Sequence, residues 1–271
     1  MEINSICKGY RDYNEDAVGV IKDRLFIVID GATSLGPSIK EPTDGVFLSS
    51  RLKEEILSIY RNGKLTPKNF VNKMNQLSKK LYKEFVKGIK EPLERYRFPQ
   101  ASMTVCYIDV CDVHIFSIGD TSTYLRFNQG KNRYISDQSI PILDKKTVKH
   151  YNDLGIYEFE KMIDTLRTNR ELLNRGGKRS VFSLYEKPHL KFKHELYDIR
   201  DLKELYLCSD GYYRAFDKFK LYPSRDALFS VKNDLQDVYK KVIEASSIDK
   251  ECKKYPRVTI KDDVSCVRVV F

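Results

Sequence analysis

Hydrophobic and polar positions divide the chain into short, clearly typed segments. Leu25 to Ile29, LFIVI, is an unbroken apolar run that ends at Asp30-Gly31. Such a run reads as a strand buried on both faces, with its final acid emerging at the sheet's end. Val18 and Val20 alternate ahead of it, and Lys22-Asp23-Arg24 makes the turn. The spacing predicts a first strand over 17–22 and an antiparallel hairpin with the LFIVI strand. Residues 45–61 then carry Val46, Leu48, Leu52, Ile56 and Ile59 at helical spacing, closed by Asn62-Gly63. Thr66-Pro67 opens a second helix, expected to reach about Lys87. Its stripe of Phe70, Met74, Leu77, Leu81 and Phe85 is core packing.

Residues 102–127 return to strand spacing. Three strands are predicted, separated by Cys111-Asp112 and by Gly119-Asp120, with Asn128-Gln129-Gly130 as the next turn and a further strand over 131–136. Residues 137–200 are less regular. They hold helix-like pieces at 145–151 and 159–173, then Asn174-Arg175-Gly176-Gly177, then the apolar SVFSL. This segment reads as a flap insertion followed by a returning strand. Residues 203–211, KELYLCSDG, repeat the pattern of an apolar run ending in acid-glycine. Residues 226–246 read as helix, and DDVSCVRVVF as a strand preceded by two acids. No repeats or long linkers interrupt the chain, so one domain over 1–271 is expected. Two antiparallel sheets covered by helices satisfy this order, an α+β arrangement.

Composition narrows the class. The 271 residues are 41% hydrophobic and 32% charged, which suits a globular domain with a substantial core. No apolar run approaches the roughly 20 residues that span a bilayer. The N-terminal MEINSICKGYRDYNEDA lacks the apolar stretch of a signal peptide, so a cytoplasmic protein with no membrane partner is expected. The net charge of +10 admits nucleic acid. The cations are interleaved with acids, however, as in KKLYKEFVKGIKEPLER, and read as a solvated face. The six cysteines form no CxxC pair and are expected to be reduced.

The candidate chemistry lies in the acids. Asp30, Asp120, Asp210 and Asp262 stand at strand ends or inner turns, and Glu15 and Asp16 precede the first strand. Singly, each Asp-Gly is more often a turn. Jointly, an oxygen-only set with glycines nearby suits hard cations such as Mg²⁺ or Mn²⁺. Arg11 is the candidate to grip a phosphate.

Five motifs, in order, carry a resemblance to a known family: RDYNEDA, FIVIDGATS, SIGDTSTYL, LYLCSDGYYR and KDDVSCVRVV. They resemble those of the metal-dependent serine/threonine protein phosphatases, the protein phosphatase 2C family, over nearly the whole chain. The resemblance implies a four-layer αββα sandwich with a flap between the G-D and S-D-G motifs. It implies two Mn²⁺ or Mg²⁺ ions, with Asp30 bridging both and a water between them attacking phosphorus. Asp210 and Asp262 would complete the first cation. The Gly31 carbonyl and Glu15 or Asp16 would hold the second. Asp120 with Asp210 would form a weaker third site, and Arg11 would bind the substrate phosphate. Phosphorylated proteins would be the substrates, and a serine/threonine kinase the counterpart.

The chain departs from the family at three places. Ala32 stands where eukaryotic members often have a histidine. DGATS replaces the D-G-M-G-G of many bacterial members, and Gly119-Asp120-Thr121-Ser122 replaces G-D-S-R. The DGAT motif, Asn174 to Gly177 and Asp262-Asp263 resemble a bacterial subgroup, which points to a bacterial or phage origin. The histidines offer no evident replacement acid: His114 sits in a predicted strand, and His150, His189 and His194 lie in or near the flap. Ser209 reads as structural. The alternative is a pseudophosphatase, a phosphoprotein-binding module without chemistry.

Overall fold

The LFIVI strand lies inside a sheet, between the hairpin partner predicted for it and a longer strand. A computed structural model describes residues 1–137, 139–173, 180–231 and 234–271. Its strands are β1 (Glu2–Lys8), β2 (Asp16–Ile21), β3 (Leu25–Gly31), β4 (Gln100–Asp109), β5 (Asp112–Ile118) and β6 (Ser122–Phe127), followed by β7 (Asn132–Ile135), β8 (Phe182–Ser183), β9 (Lys193–Asp198), β10 (Leu202–Cys208) and β11 (Val264–Val270). Its helices are α1 (Asp44–Arg61), α2 (Phe70–Phe85), α3 (Ser139–Asp153), α4 (Phe159–Leu172), α5 (Asp210–Asp217), α6 (Leu228–Val231) and α7 (Leu235–Ile248).

Two sheets form, with every strand pairing antiparallel. One runs β2-β3-β4-β5-β9, with β8 pairing the start of β4, and the other runs β1-β11-β10-β6-β7. Strand periodicity sorts β3 between two cores. Leu25, Ile27 and Ile29 join Leu48 and Leu52 of α1 and Phe70 and Leu81 of α2. Phe26 and Val28 face the other way and meet Leu205, Leu207, Val267 and Val269 of the second sheet. A third core joins Tyr206 and Cys266 to Tyr212 of α5 and Val238 of α7. Helix, sheet, sheet, helix is thus the layer order, the expected four-layer sandwich.

Local signals place the helices. The Thr43 hydroxyl caps α1 by accepting from Val46 N at 3.1 Å. Thr66 and Asn69 form a capping box around a 3₁₀ turn, Pro67–Asn69, and α2 starts after it. Two strands were not anticipated. β1, EINSICK, and β9, KHELYD, are edge strands with few apolar positions, so periodicity does not mark them. β1 pairs from Glu2 opposite Val270 to Lys8 opposite Val264, and the pairing partner alone makes it a strand. β9 occupies the end of the segment read as a flap and pairs with β5. The rest of that segment includes α3, α4 and β8, while Asn174–Gly177 lies outside the described residues. The helix expected over 226–246 is realised as α6 and α7. No helix among the described residues is long and apolar enough to cross a membrane.

Candidate active site

The acids meet at one end of the sandwich, between the sheets. Asp30, next to last in β3, has the parity of Phe26 and Val28, so its side chain lies on the inter-sheet face. Asp16 starts β2 directly opposite Asp30. From the other sheet, β10 ends at Cys208 and α5 begins at Asp210, whose backbone N–H donates to Asp30 Oδ2 at 3.2 Å. Asp262 lies just before β11. Asp120 follows β5, where Ser102 of β4 donates to its Oδ1 at 2.6 Å and accepts from its backbone N–H at 3.1 Å. Asp30, Asp120, Asp210 and Asp262 line one cavity of about 200 Å³.

Burial and mutual repulsion both disfavour the ionised form of crowded carboxylates, so their pKa values rise. Burial, then Asp16 and Asp210, lifts Asp30 well above the usual range. Burial, then Asp262 and Asp263, does the same to Asp16. Burial and Asp210 raise Asp120 to about 7. Asp262 also reaches about 7, through burial and only partly offset by Arg214. Asp16 Oδ2 is buried without a hydrogen-bond partner among the described residues.

Glu15 is held differently. Its Oε1 and Oε2 accept from Thr43 Oγ1 and Thr33 Oγ1, each at 2.7 Å. Its backbone N–H donates to Asp263 at 2.5 Å, and Asp263 also accepts from Tyr10 N at 3.2 Å. Asp263 therefore pins the loop that delivers Glu15 and Asp16. Gly31 fits beneath this loop: its N–H donates to Glu15 O at 3.1 Å, and an added Cβ would stand 2.5 Å from that oxygen. Close approach of protein backbone is what this glycine permits.

Arg11 is outside the cavity lining. It stacks over Tyr10 at 4.6 Å, donates to the Tyr13 hydroxyl at 2.6 Å and stays 4.0 Å from Glu15. Three charged lining residues were not singled out from the sequence. Arg170 reaches from α4 and donates to Thr33 O at 2.9 Å. Burial lowers its pKa to about 10, against the pull of Glu15 and Asp144. Asp144 of α3 is raised to about 6 by burial and Asp210. Arg214 of α5 bonds to Asp262, and although burial opposes its charge, Asp262, Asp210 and Asp30 outweigh burial and raise its pKa. Helical spacing marks Arg214 four residues from Asp210; nothing local marks Arg170 or Asp144 as facing the acids.

Among the described residues, no histidine lines this cavity. His114 lies in β5, the strand predicted for it, is half-buried, and pairs with His194 at 3.1 Å between ring nitrogens. Ser209 is structural as expected: it is buried, and its hydroxyl accepts from Ser265 N at 3.0 Å across β10 and β11. Among the described residues, no three His, Cys, Asp or Glu side chains converge as a ready metal cluster.

No protein-family model matches the chain, and no curated protein matches its sequence. Solved structures do. A bacterial serine phosphatase superposes with a TM-score of 0.56 at 16% identity, covering 100% of this chain and 97% of that one. The serine/threonine phosphatase Stp1 from Staphylococcus aureus gives 0.57 at 14%, covering 100% and 94%. The catalytic domain of the serine/threonine protein phosphatase PstP, in complex with two manganese ions, gives 0.56 at 14%, covering 98% and 96%. Two helix-flanked antiparallel sheets with this layer order, matched end to end by these structures, give the chain the protein phosphatase 2C fold.

Proposed function

We propose that this chain is a Mn²⁺- or Mg²⁺-dependent phosphatase acting on phosphoserine and phosphothreonine of proteins. One observation carries the reading: Asp16 and Asp30 from one sheet and Asp210 and Asp262 from the other approach one another at the sandwich end, beside a cavity. The donor set fits hard divalent cations, being carboxylate throughout. Burial first, and neighbouring carboxylates after it, disfavour charge on Asp16, Asp30, Asp120 and Asp262, a cost that a bound cation would offset, and Asp16 Oδ2 is buried without a hydrogen-bond partner among the described residues.

Asp30 would bridge two ions, with Asp210 and Asp262 on the first. Asp16 and the Gly31 carbonyl would hold the second, while Glu15, engaged by Thr33 and Thr43, props the loop. Asp120, oriented by Ser102, would share a weaker third site with Asp210. The ions would supply an activated water and neutralise charge on the phosphoryl group. Arg11, outside the cavity lining, would bind the phosphate by exchanging its Tyr13 bond for two phosphate oxygens. Arg170 adds positive charge inside the cavity. The two manganese ions of the PstP structure support Mn²⁺ here. Six free cysteines, with Cys208 and Cys266 sulfurs 3.5 Å apart and unjoined, suit a reducing cytoplasm. A serine/threonine kinase would supply the substrates.

A second reading, a phosphoprotein-binding module without catalysis, is favoured by the Arg214–Asp262 bond. Hydrolysis of p-nitrophenyl phosphate separates the two. The enzyme reading requires activity with Mn²⁺ that is lost with EDTA and in Asp30→Asn. Inactivity with both metals, or full activity in the variant, overturns it.

A further inference from the structure

Arg214 brings a fixed positive charge among the carboxylates assigned above to cations. Its side chain is 8% exposed. It bonds to Asp262 through Nη2, which also donates to Thr259 Oγ1 at 3.0 Å and stands 4.0 Å from Asp210 Oδ2. Nη1 donates to Thr259 O at 3.3 Å. The guanidinium is therefore built in, by α5 below it and by the Thr259–Asp262 loop around it. A divalent cation on Asp262 and Asp210 would meet this charge within a few ångströms. At that separation in a protein interior, like charges repel strongly.

We propose that Arg214 is an internal counter-ion that competes with a divalent cation for Asp262 and Asp210, so that the cation enters only as the guanidinium leaves Asp262. The inference rests on the phosphatase reading. Asp262 is turned to Arg214. The fold also gives the Arg214 side chain somewhere to go. Arg214 borders a second cavity of about 340 Å³, shared with Asp120 and Asp210, where Asp144 and Asp217 offer alternative partners. Holding the acids together without metal and yielding them to metal are two states of one side chain. The apparent affinity for the cation falls by the fraction of time Arg214 occupies Asp262.

Titration calorimetry of MnCl₂ into the full chain tests this, with Arg214→Met and Arg214→Lys beside the wild type. Arg214→Met keeps the bulk of the side chain and removes the charge. It is expected to tighten Mn²⁺ binding by about tenfold or more. Arg214→Lys keeps the charge but loses the planar fork, and should fall between. In thermal melts, Arg214→Met should unfold below the wild type without metal and gain more from Mn²⁺. If Arg214→Met fails to fold, a tighter Arg214→Lys still supports the proposal. A folded variant that binds Mn²⁺ as the wild type does, or more weakly, overturns the proposal and leaves the phosphatase reading standing. Absence of Mn²⁺ binding in all three proteins overturns both.

Discussion

Asp16 and Asp30 face each other directly across the β2–β3 hairpin, two carboxylates on the same inter-sheet face. Opposed like charges in an antiparallel pair destabilise the sheet. The hairpin retains them at the site end while its other paired positions are apolar or glycine. Asp30→Asn should therefore raise the melting temperature of the metal-free protein while reducing Mn²⁺-dependent turnover by at least about a hundredfold. Differential scanning fluorimetry and a phosphatase assay on the same preparation check both signs. A variant that loses stability and activity together would mark Asp30 as a packing residue.

Arg11 separates binding from chemistry. A charge-assisted pair with phosphate contributes about 1.5–3 kcal/mol. Arg11→Ala should then lower kcat/KM for a phosphopeptide by about thirtyfold, with Mn²⁺ affinity unchanged. Tyr13→Phe, which frees the guanidinium from its 2.6 Å bond, should leave kcat/KM equal or higher. Steady-state kinetics with both variants decides whether Arg11 reaches the phosphate.

Gly211 tests how closely the two acid-bearing segments pack. An added Cβ would collide with the Asp263 carbonyl oxygen, which is backbone and cannot step aside. Gly211→Ala should lose at least ~2 kcal/mol in urea denaturation and weaken Mn²⁺ binding, because Asp210 and Asp262 would be pushed apart.

Arg257 and Asp249 form a buried pair, 1% and 7% exposed, outside the cavity lining. Burial alone would raise Asp249, but hydrogen bonds from Arg257, Lys254 N and Tyr255 N outweigh it and lower its pKa. A lowered carboxylate stabilises the fold above its unfolded pKa, about 3.9, and that stability is lost as pH falls through the folded value. Asp249→Asn should cost about 3 kcal/mol at pH 7, with the difference from wild type shrinking below about pH 4. Melting curves from pH 7 to pH 3 measure it.

The sequence carries the acids and the strands that end in them, because apolar runs and acid-glycine pairs are local signals. Asp30, Asp120, Asp210 and Asp262 were legible for that reason. β1 was not: with only Ile3 and Ile6 apolar at non-alternating positions, EINSICK becomes a strand solely through β11. Arg170 and Asp144 were illegible for a related reason. Their helices show which residues are buried, but which neighbour a helix turns toward is fixed by tertiary packing. Glu15 looked equivalent to Asp16, and Thr33 and Thr43 distinguish the carboxylate braced at both oxygens from the one whose Oδ2 lacks a partner among the described residues.

β1 finds its pairing partner only in β11, and β11 lies between β1 and β10. During synthesis, β1 must wait unpaired while every intervening residue is made, and Asp262 arrives with the same late segment. Neither the edge of that sheet nor the acid set can close earlier. A ribosome-bound chain stalled before Asp262 would expose a lone strand edge and an incomplete acid set. The sheet edge and the acid set would then be completed together, once the segment from Asp262 through β11 has been made.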